Sequence, residues 1–126
     1  MTENELAKIA VDSAFKVHTT LGPGLLESVY HEVLAYELRK ADLAIEVEKD
    51  IPVQYENILF DKGFRADIIV NKKLIIEIKS VKQLENVHFK QVLTYLKLTN
   101  LKLGLLINFN ESLLKDGIKR IINGQI

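Results

Sequence analysis

The chain has 126 residues, 48% of them hydrophobic and 27% charged, with two prolines and no cysteine. That length suits one compact domain, residues 1–126, and the composition is that of a globular rather than a disordered protein. The missing cysteine excludes disulfides, thiolate nucleophiles and cysteine metal sites, and 17 basic against 17 acidic residues leave no net charge to attract a polyanion over the whole molecule. The opening MTENELAK has neither a basic n-region nor an apolar core, and no later apolar run approaches membrane-spanning length, so the cytoplasm is the expected location.

Thr2 followed by Glu5 is a capping-box signature, and Leu6, Ile9, Ala10 and Val17 then recur in helical period, which predicts a helix over about residues 4 to 19. The LGPG stretch breaks it. A second helix is expected over about residues 25 to 40, because Leu26, Val29, Tyr30, Val33 and Leu34 fall on one stripe. From Ala44 to Ser80 the period changes to two, in IEVEKDIPVQY, ILF, RADIIV and KLIIEIK, with turn signals at DKG and NKK; this predicts an antiparallel run. ENVHFKQVLTYLKLTN returns to helical spacing and LKLGLLINF reads as a buried strand, whereas the tail NESLLKDGIKRIINGQI fits neither period. The expected fold is α/β: a mixed central sheet, made of an antiparallel meander plus a further strand, flanked by helices.

The strand KLIIEIKS carries Glu77 and Lys79 on one face and Ile76 and Ile78 on the other. In FRADIIV the same alternation puts Asp67 with Arg65 and Ile69, opposite Ala66, Ile68 and Val70. A three-residue loop Asn71 to Lys73, pairing Val70 with Leu74, sets Asp67 directly across from Glu77; a two-residue loop throws the two acids to opposite faces. Facing carboxylates repel unless something positive lies between them. Mg²⁺ takes hard oxygen ligands and commonly one or two carboxylates. The pattern D-(x)n-E-x-K supplies the two acids, the backbone carbonyl of Ile78 and an ammonium that can orient a hydroxide or stabilise charge on a phosphoryl group. E-x-K alone also describes any amphipathic strand with a solvated face, but the isoleucine-rich context suggests a strand covered on both sides.

Two further motifs bear on this site. In GLLESVY, Glu27 and Tyr30 lie together on the helix surface; Glu27 either brings a third carboxylate to the metal or sits at the third position of a helix capped by Gly24. In HFKQVLTY, His88, Gln91 and Tyr95 form a stripe beside the apolar face, either a hydrogen-bonded border of the core or a helix edge lining a cleft.

GLLESVY, RADIIV, LIIEIKS and HFKQVLTYLKLTN, in that order, resemble the G-x-x-E-x-x-Y proteins, a branch of the PD-(D/E)XK nuclease superfamily, over about Leu21 to Ile121. The resemblance implies a restriction-endonuclease-like core of helix, three antiparallel strands, helix and strand. By motif position it implies that Asp67, Glu77, Lys79 and Glu27 are catalytic. Asp67, Glu77 and Glu27 would hold the metal, joined by the Ile78 carbonyl. QVLTY is similar to the Q-x-x-x-Y motif of the RecB-related exonuclease branch, which assigns Gln91 and Tyr95 to substrate binding or lysine orientation; Tyr30 and His88 join the expected substrate-binding set. RAD replaces the nominal Pro-Asp, so Ala66 precedes the acid.

The expected function is a Mg²⁺-dependent phosphodiesterase on DNA or RNA, with Mn²⁺ as a substitute. The alternative is a catalytically silent module on the same fold, binding nucleic acid through lysines such as Lys72, Lys73, Lys82 and Lys119 with Arg120, or binding protein partners. So small and apolar a domain is also suited to a homodimer. HEVLA lacks the second histidine of a zinc protease helix, and His18, His31 and His88 show no ligand spacing, so each reads as a surface or border residue. GPG is not a phosphate-cradling loop, and no nucleophile elbow is present.

Overall fold

A computed structural model describes residues 1–126. The first helix, α1, spans Glu3–Leu21. Its start is fixed as the sequence predicts: the Glu5 N–H donates to Thr2 Oγ1 at 3.1 Å and the Thr2 N–H donates to Glu5 Oε1 at 2.9 Å. It ends at Gly22, whose φ of +74° suits glycine. The second helix, α2, spans Glu27–Lys40, and Leu26, not Gly24, holds the extended cap position. Glu27 is therefore the first helical residue rather than the third.

Strands β1 (Ile45–Tyr55), β2 (Ile58–Val70) and β3 (Leu74–Lys79) follow, then α3 (Asn86–Thr99), β4 (Leu103–Asn108), a 3-10 turn (Leu114–Gly117) and β5 (Ile118–Ile122). The sheet order is β1-β2-β3-β4-β5. Neighbours are antiparallel except β3 and β4, whose parallel pairing requires a crossover, and α3 supplies it. The ambiguous tail thus resolves into a short turn and an edge strand.

Helices cover both faces. Ile68, Val70, Ile76, Ile78, Leu105 and Ile107 pack against Leu6, Ala10, Leu34 and Leu38 of α1 and α2, while Ile69, Ile75 and Leu106 pack against Val92 and Leu96 of α3. Burial on both sides is why LIIEI and LGLLI read as unbroken apolar runs. Gly104 allows the close approach of α3, since a side chain there would come within 2.7 Å of Val92 Cγ1.

The hairpin register is the one on which the acid pair depends. Val70 pairs with Leu74, Ile69 with Ile75 and Ile68 with Ile76, around the three-residue loop Asn71 to Lys73. Asn71 and Lys72 turn the chain with φ of 49° and 55°. Asn71 locks the turn to the start of β1, its Oδ1 accepting the Ala44 N–H at 2.8 Å.

Two expectations need correction. DKG is not a turn: ILF and RADIIV belong to one strand, and the chain reverses instead at Glu56 and Asn57. Asp61 to Gly63 lie opposite the single residue Pro52, because the register shifts between Ile51 and Val53; this bulge absorbs residues that would otherwise form a loop. No helix is long and apolar enough to cross a membrane.

Candidate active site

Regular pairing of β2 and β3 stops at Ile68 and Ile76. Beyond that point two carboxylates take the place of the missing ladder bonds. The Asp67 N–H donates to Glu77 Oε2 at 2.8 Å, and the Ile78 N–H donates to Asp67 Oδ2 at 2.7 Å. The N–H and carbonyl of a strand residue point to the same side, so the Ile78 carbonyl also faces the gap where the strands part.

Strict alternation fails at Asp67. Ala66 packs under α3 with Ile69 and Ile75, whereas Ile68 and Val70 pack under α1 and α2. Ala66 was expected on the face of Ile68. The irregularity lets the Asp67 side chain reach both the β3 backbone and α2.

Glu77 is only 6% exposed. Burial, and after it the negative charge of Asp67, push its carboxyl up to about 8, while the Asp67 N–H, Lys79 and His31 pull the other way. A carboxyl buried beside a second acid is held neutral more easily than charged, burial being the larger cause. Lys79, the last residue of β3, is half-buried, and its carbonyl accepts the Phe109 N–H at 2.9 Å.

The sequence reading placed His31 at the surface or border; the structure buries it against the acid pair. Its Nε2 lies 3.3 Å from Asp67 Oδ2 and its Nδ1 lies 3.8 Å from Glu48 Oε1. Neither ring nitrogen has an aligned hydrogen bond, and the contacts are ion pairs when the imidazole is protonated. The polar contact with Asp67 leads in raising the imidazole pKa, against burial and with help from the charges of Asp67, Glu48 and Glu27. The available signal was spacing: His31 stands four residues after Glu27, on the same helix surface. Glu48 left no such mark, and it reaches the site from a left-handed conformation with φ of 50°.

Glu27 is drawn to the exit of β3. Its Oε1 accepts the Ser80 N–H at 3.2 Å, and Ser80 Oγ donates to the Leu25 carbonyl at 2.7 Å. Asn108, fully buried and also missed from the sequence, clamps the next residue: its Oδ1 accepts the Val81 N–H at 3.1 Å and its Nδ2 donates to the Val81 carbonyl at 2.9 Å. The chain after Lys79 is thereby held from two sides.

From α3, the Tyr95 ring stacks on Phe64 with centroids 3.9 Å apart and planes 2° from parallel. Its phenol pKa is raised by burial and then by the charges of Glu77 and Asp67. Gln91, one turn earlier, is exposed. His88 is occupied otherwise, its Nδ1 accepting the Glu85 N–H at 2.9 Å at the start of α3. Tyr30 is a clear correction, for it is fully buried and cannot touch a substrate. Its hydroxyl donates to the Gly22 carbonyl at 2.6 Å and accepts the Leu25 N–H at 3.2 Å, and its ring stacks on Phe109 at 4.5 Å. It ties the LGPG loop to the core.

The donor set suits a hard divalent cation: two carboxylates and a strand carbonyl, at a point short of positive charge. No three acidic or histidine side chains stand together in ligating geometry, and Glu27 is engaged with Ser80. The two surface cavities, of about 380 and 330 Å³, are lined by other residues.

Residues 4–121 match the family model of the PD-(D/E)XK nuclease superfamily. Among solved structures, the chain is similar to the one described as "Crystal structure of SSO0001", with 24% identity and a TM-score of 0.58. The similarity covers 98% of this chain and 61% of that one, so the chain spans about three-fifths of that protein's length. At that identity the likeness concerns the fold alone, and the fold is restriction-endonuclease-like, as the motifs led one to expect. No curated protein matches the chain.

Proposed function

The chain belongs to the PD-(D/E)XK nuclease superfamily, and on that premise we propose that it is a Mg²⁺-dependent phosphodiesterase acting on DNA or RNA, of the G-x-x-E-x-x-Y branch. The observation that carries this reading is the meeting of Asp67 and Glu77 where β2 leaves β3, with Lys79 two residues further along the same strand. Asp67, Glu77 and the Ile78 carbonyl would hold the ion, with Glu27 approaching from α2. Mg²⁺, or Mn²⁺ in its place, supplies Lewis acidity toward the scissile phosphodiester.

The remaining steps belong to the chain. Lys79 donates to a phosphoryl oxygen and stabilises the charge that develops there. Gln91 and Tyr95 line the α3 side, orienting Lys79 and the substrate strand. His31 fixes the Asp67 carboxylate from behind, as a positioning residue.

The test is incubation of the purified protein with single- and double-stranded DNA and RNA in Mg²⁺ or Mn²⁺, beside Asp67→Asn. Cleavage that needs the metal and is lost in the variant is expected. Absence of cleavage together with no calorimetric binding of Mn²⁺ overturns the reading. One observation favours a second reading: an oxygen of each acid is already committed to a strand N–H. The pair then acts as a spacer in a silent nucleic-acid or protein-binding module, whose nucleic-acid affinity, if any, is unchanged in Glu77→Ala.

A further inference from the structure

Residues 52–63 carry β1 and β2 beyond the part of the sheet that the helices cover. The pair Ile51 and Phe64 is the last to pack beneath α3; from there to the tip every residue except Val53 is exposed. Val53 pairs with Phe60 and Tyr55 with Ile58. Since strand side chains alternate, these four share one face, leaving Gln54 and Leu59 on the other. Tyr55, Ile58 and Phe60 are 67%, 56% and 49% exposed. Val53 lies over Gly63, where any side chain would collide with it, so the strands close at the bulge only because that residue is glycine.

A two-stranded hairpin is marginal by itself in water, and here its patterned apolar face has no covering layer. The arm carries Glu56 and Asp61 against Lys62, a balance that does not favour a polyanion. A matching surface exists on the same chain. A cavity of about 330 Å³ between α1 and β5 has Ala7, Val11, Leu105 and Ile118 among its lining residues and Lys8 and Arg120 beside them. An arm cannot reach the cavity of its own chain, because β3 and β4 separate β2 from β5 in the sheet.

Area discriminates between the ways two copies could meet. If an arm face offers roughly 400 Å² of apolar surface, arm against arm buries about 800 Å², in the range of weak contacts. Two reciprocal arm-in-groove contacts bury about 1,600 Å², the size of a standard stable interface. We propose that the chain forms a homodimer in which each protomer seats the Val53, Tyr55, Ile58 and Phe60 face of its arm in the α1–β5 groove of the other, acidic tip toward basic rim. This assembly is independent of the proposed chemistry.

Light scattering on the eluting protein at tens of micromolar tests it. A mass near twice 14.4 kDa is expected. Tyr55→Ser with Phe60→Ser, both at the exposed tip, should give a monomer with unchanged circular dichroism. Lys8→Glu with Arg120→Glu should weaken the dimer tenfold or more, and adding Glu56→Lys with Asp61→Lys should restore it. The chain has no cysteine, so mixing Ile58→Cys protein, with the thiol on the seated face, with Lys8→Cys protein should trap a disulfide-linked heterodimer under oxidation. A monomeric wild type, a dimer that survives the tip substitutions, or cross-linking of Ile58→Cys only to itself each overturns the proposal.

Discussion

Asp67 and Glu77 each place a carboxylate oxygen on the backbone of the opposite strand: Glu77 Oε2 receives the Asp67 N–H and Asp67 Oδ2 receives the Ile78 N–H. The same atoms that hold β2 apart from β3 therefore form the acidic cluster. Stability and chemistry are coupled at this point, and both can be read out.

Glu77 titrates at about 8 in the fold, against an ordinary glutamate value near 4.5. Between those values the folded chain holds a proton that the unfolded chain has released. Its contribution is therefore complete below about pH 4.5 and lost as pH rises through about 8. His31, also raised, adds loss of the same sign above its ordinary value near 6.5. Thermal melts without metal should show stability falling across this window, and Glu77→Gln should flatten the fall. Mn²⁺ should raise the melting temperature of the wild type more at about pH 8.5 than at about pH 5, and should leave Glu77→Gln unmoved. An equal Mn²⁺ shift in the variant removes Glu77 from the ion site.

Lys79→Met should lower kcat by about 10²–10³-fold with little change in KM, since the ammonium is assigned to charge that appears only in the transition state. Steady-state cleavage kinetics measure this, and a pure KM effect would reassign Lys79 to substrate binding.

His31→Ala should reduce activity or Mn²⁺ affinity by about 10–100-fold, as expected when the group behind a ligating carboxylate is removed. His31→Gln, which keeps a polar tip toward Asp67, should recover part of the loss. Calorimetry of Mn²⁺ binding separates this from a folding defect, and unchanged affinity and rate in His31→Ala would leave the histidine a packing residue.

Tyr30→Phe removes the bond to Gly22 and leaves the Leu25 N–H without its partner. A loss of about 1–3 kcal/mol in urea unfolding is expected, with kcat/KM unchanged. A selective rise in KM would return Tyr30 to the substrate.

The register of the hairpin was legible because parity decides it: with the loop from Asn71 to Lys73, Val70 must meet Leu74, which brings the two acids to the point where the ladder ends. The covered strands were legible because burial on both faces leaves an unbroken apolar run. What the sequence concealed depends on tertiary placement. Tyr30 and Glu27 share a helical motif, yet one turns into the core against Phe109 and the other toward Ser80. Asp61 to Gly63 has the composition of a turn, and only the partner strand shows it to be a bulge. His31 carries no distinguishing neighbour in sequence, since its partners Asp67 and Glu48 arrive from strands 36 and 17 residues away.

The loop from Asn71 to Lys73 lies three strand residues from Asp67, roughly 10 Å away, and touches no part of the chemistry. Surface turns ordinarily accept an added residue with little harm. Here a slip of one residue between β2 and β3 would turn an acid toward the hydrocarbon side and an isoleucine into the cleft. Under the proposed function, the register that this turn closes is thus a remote determinant of catalysis, and a lineage in which it slipped would be expected to keep the architecture while losing the activity.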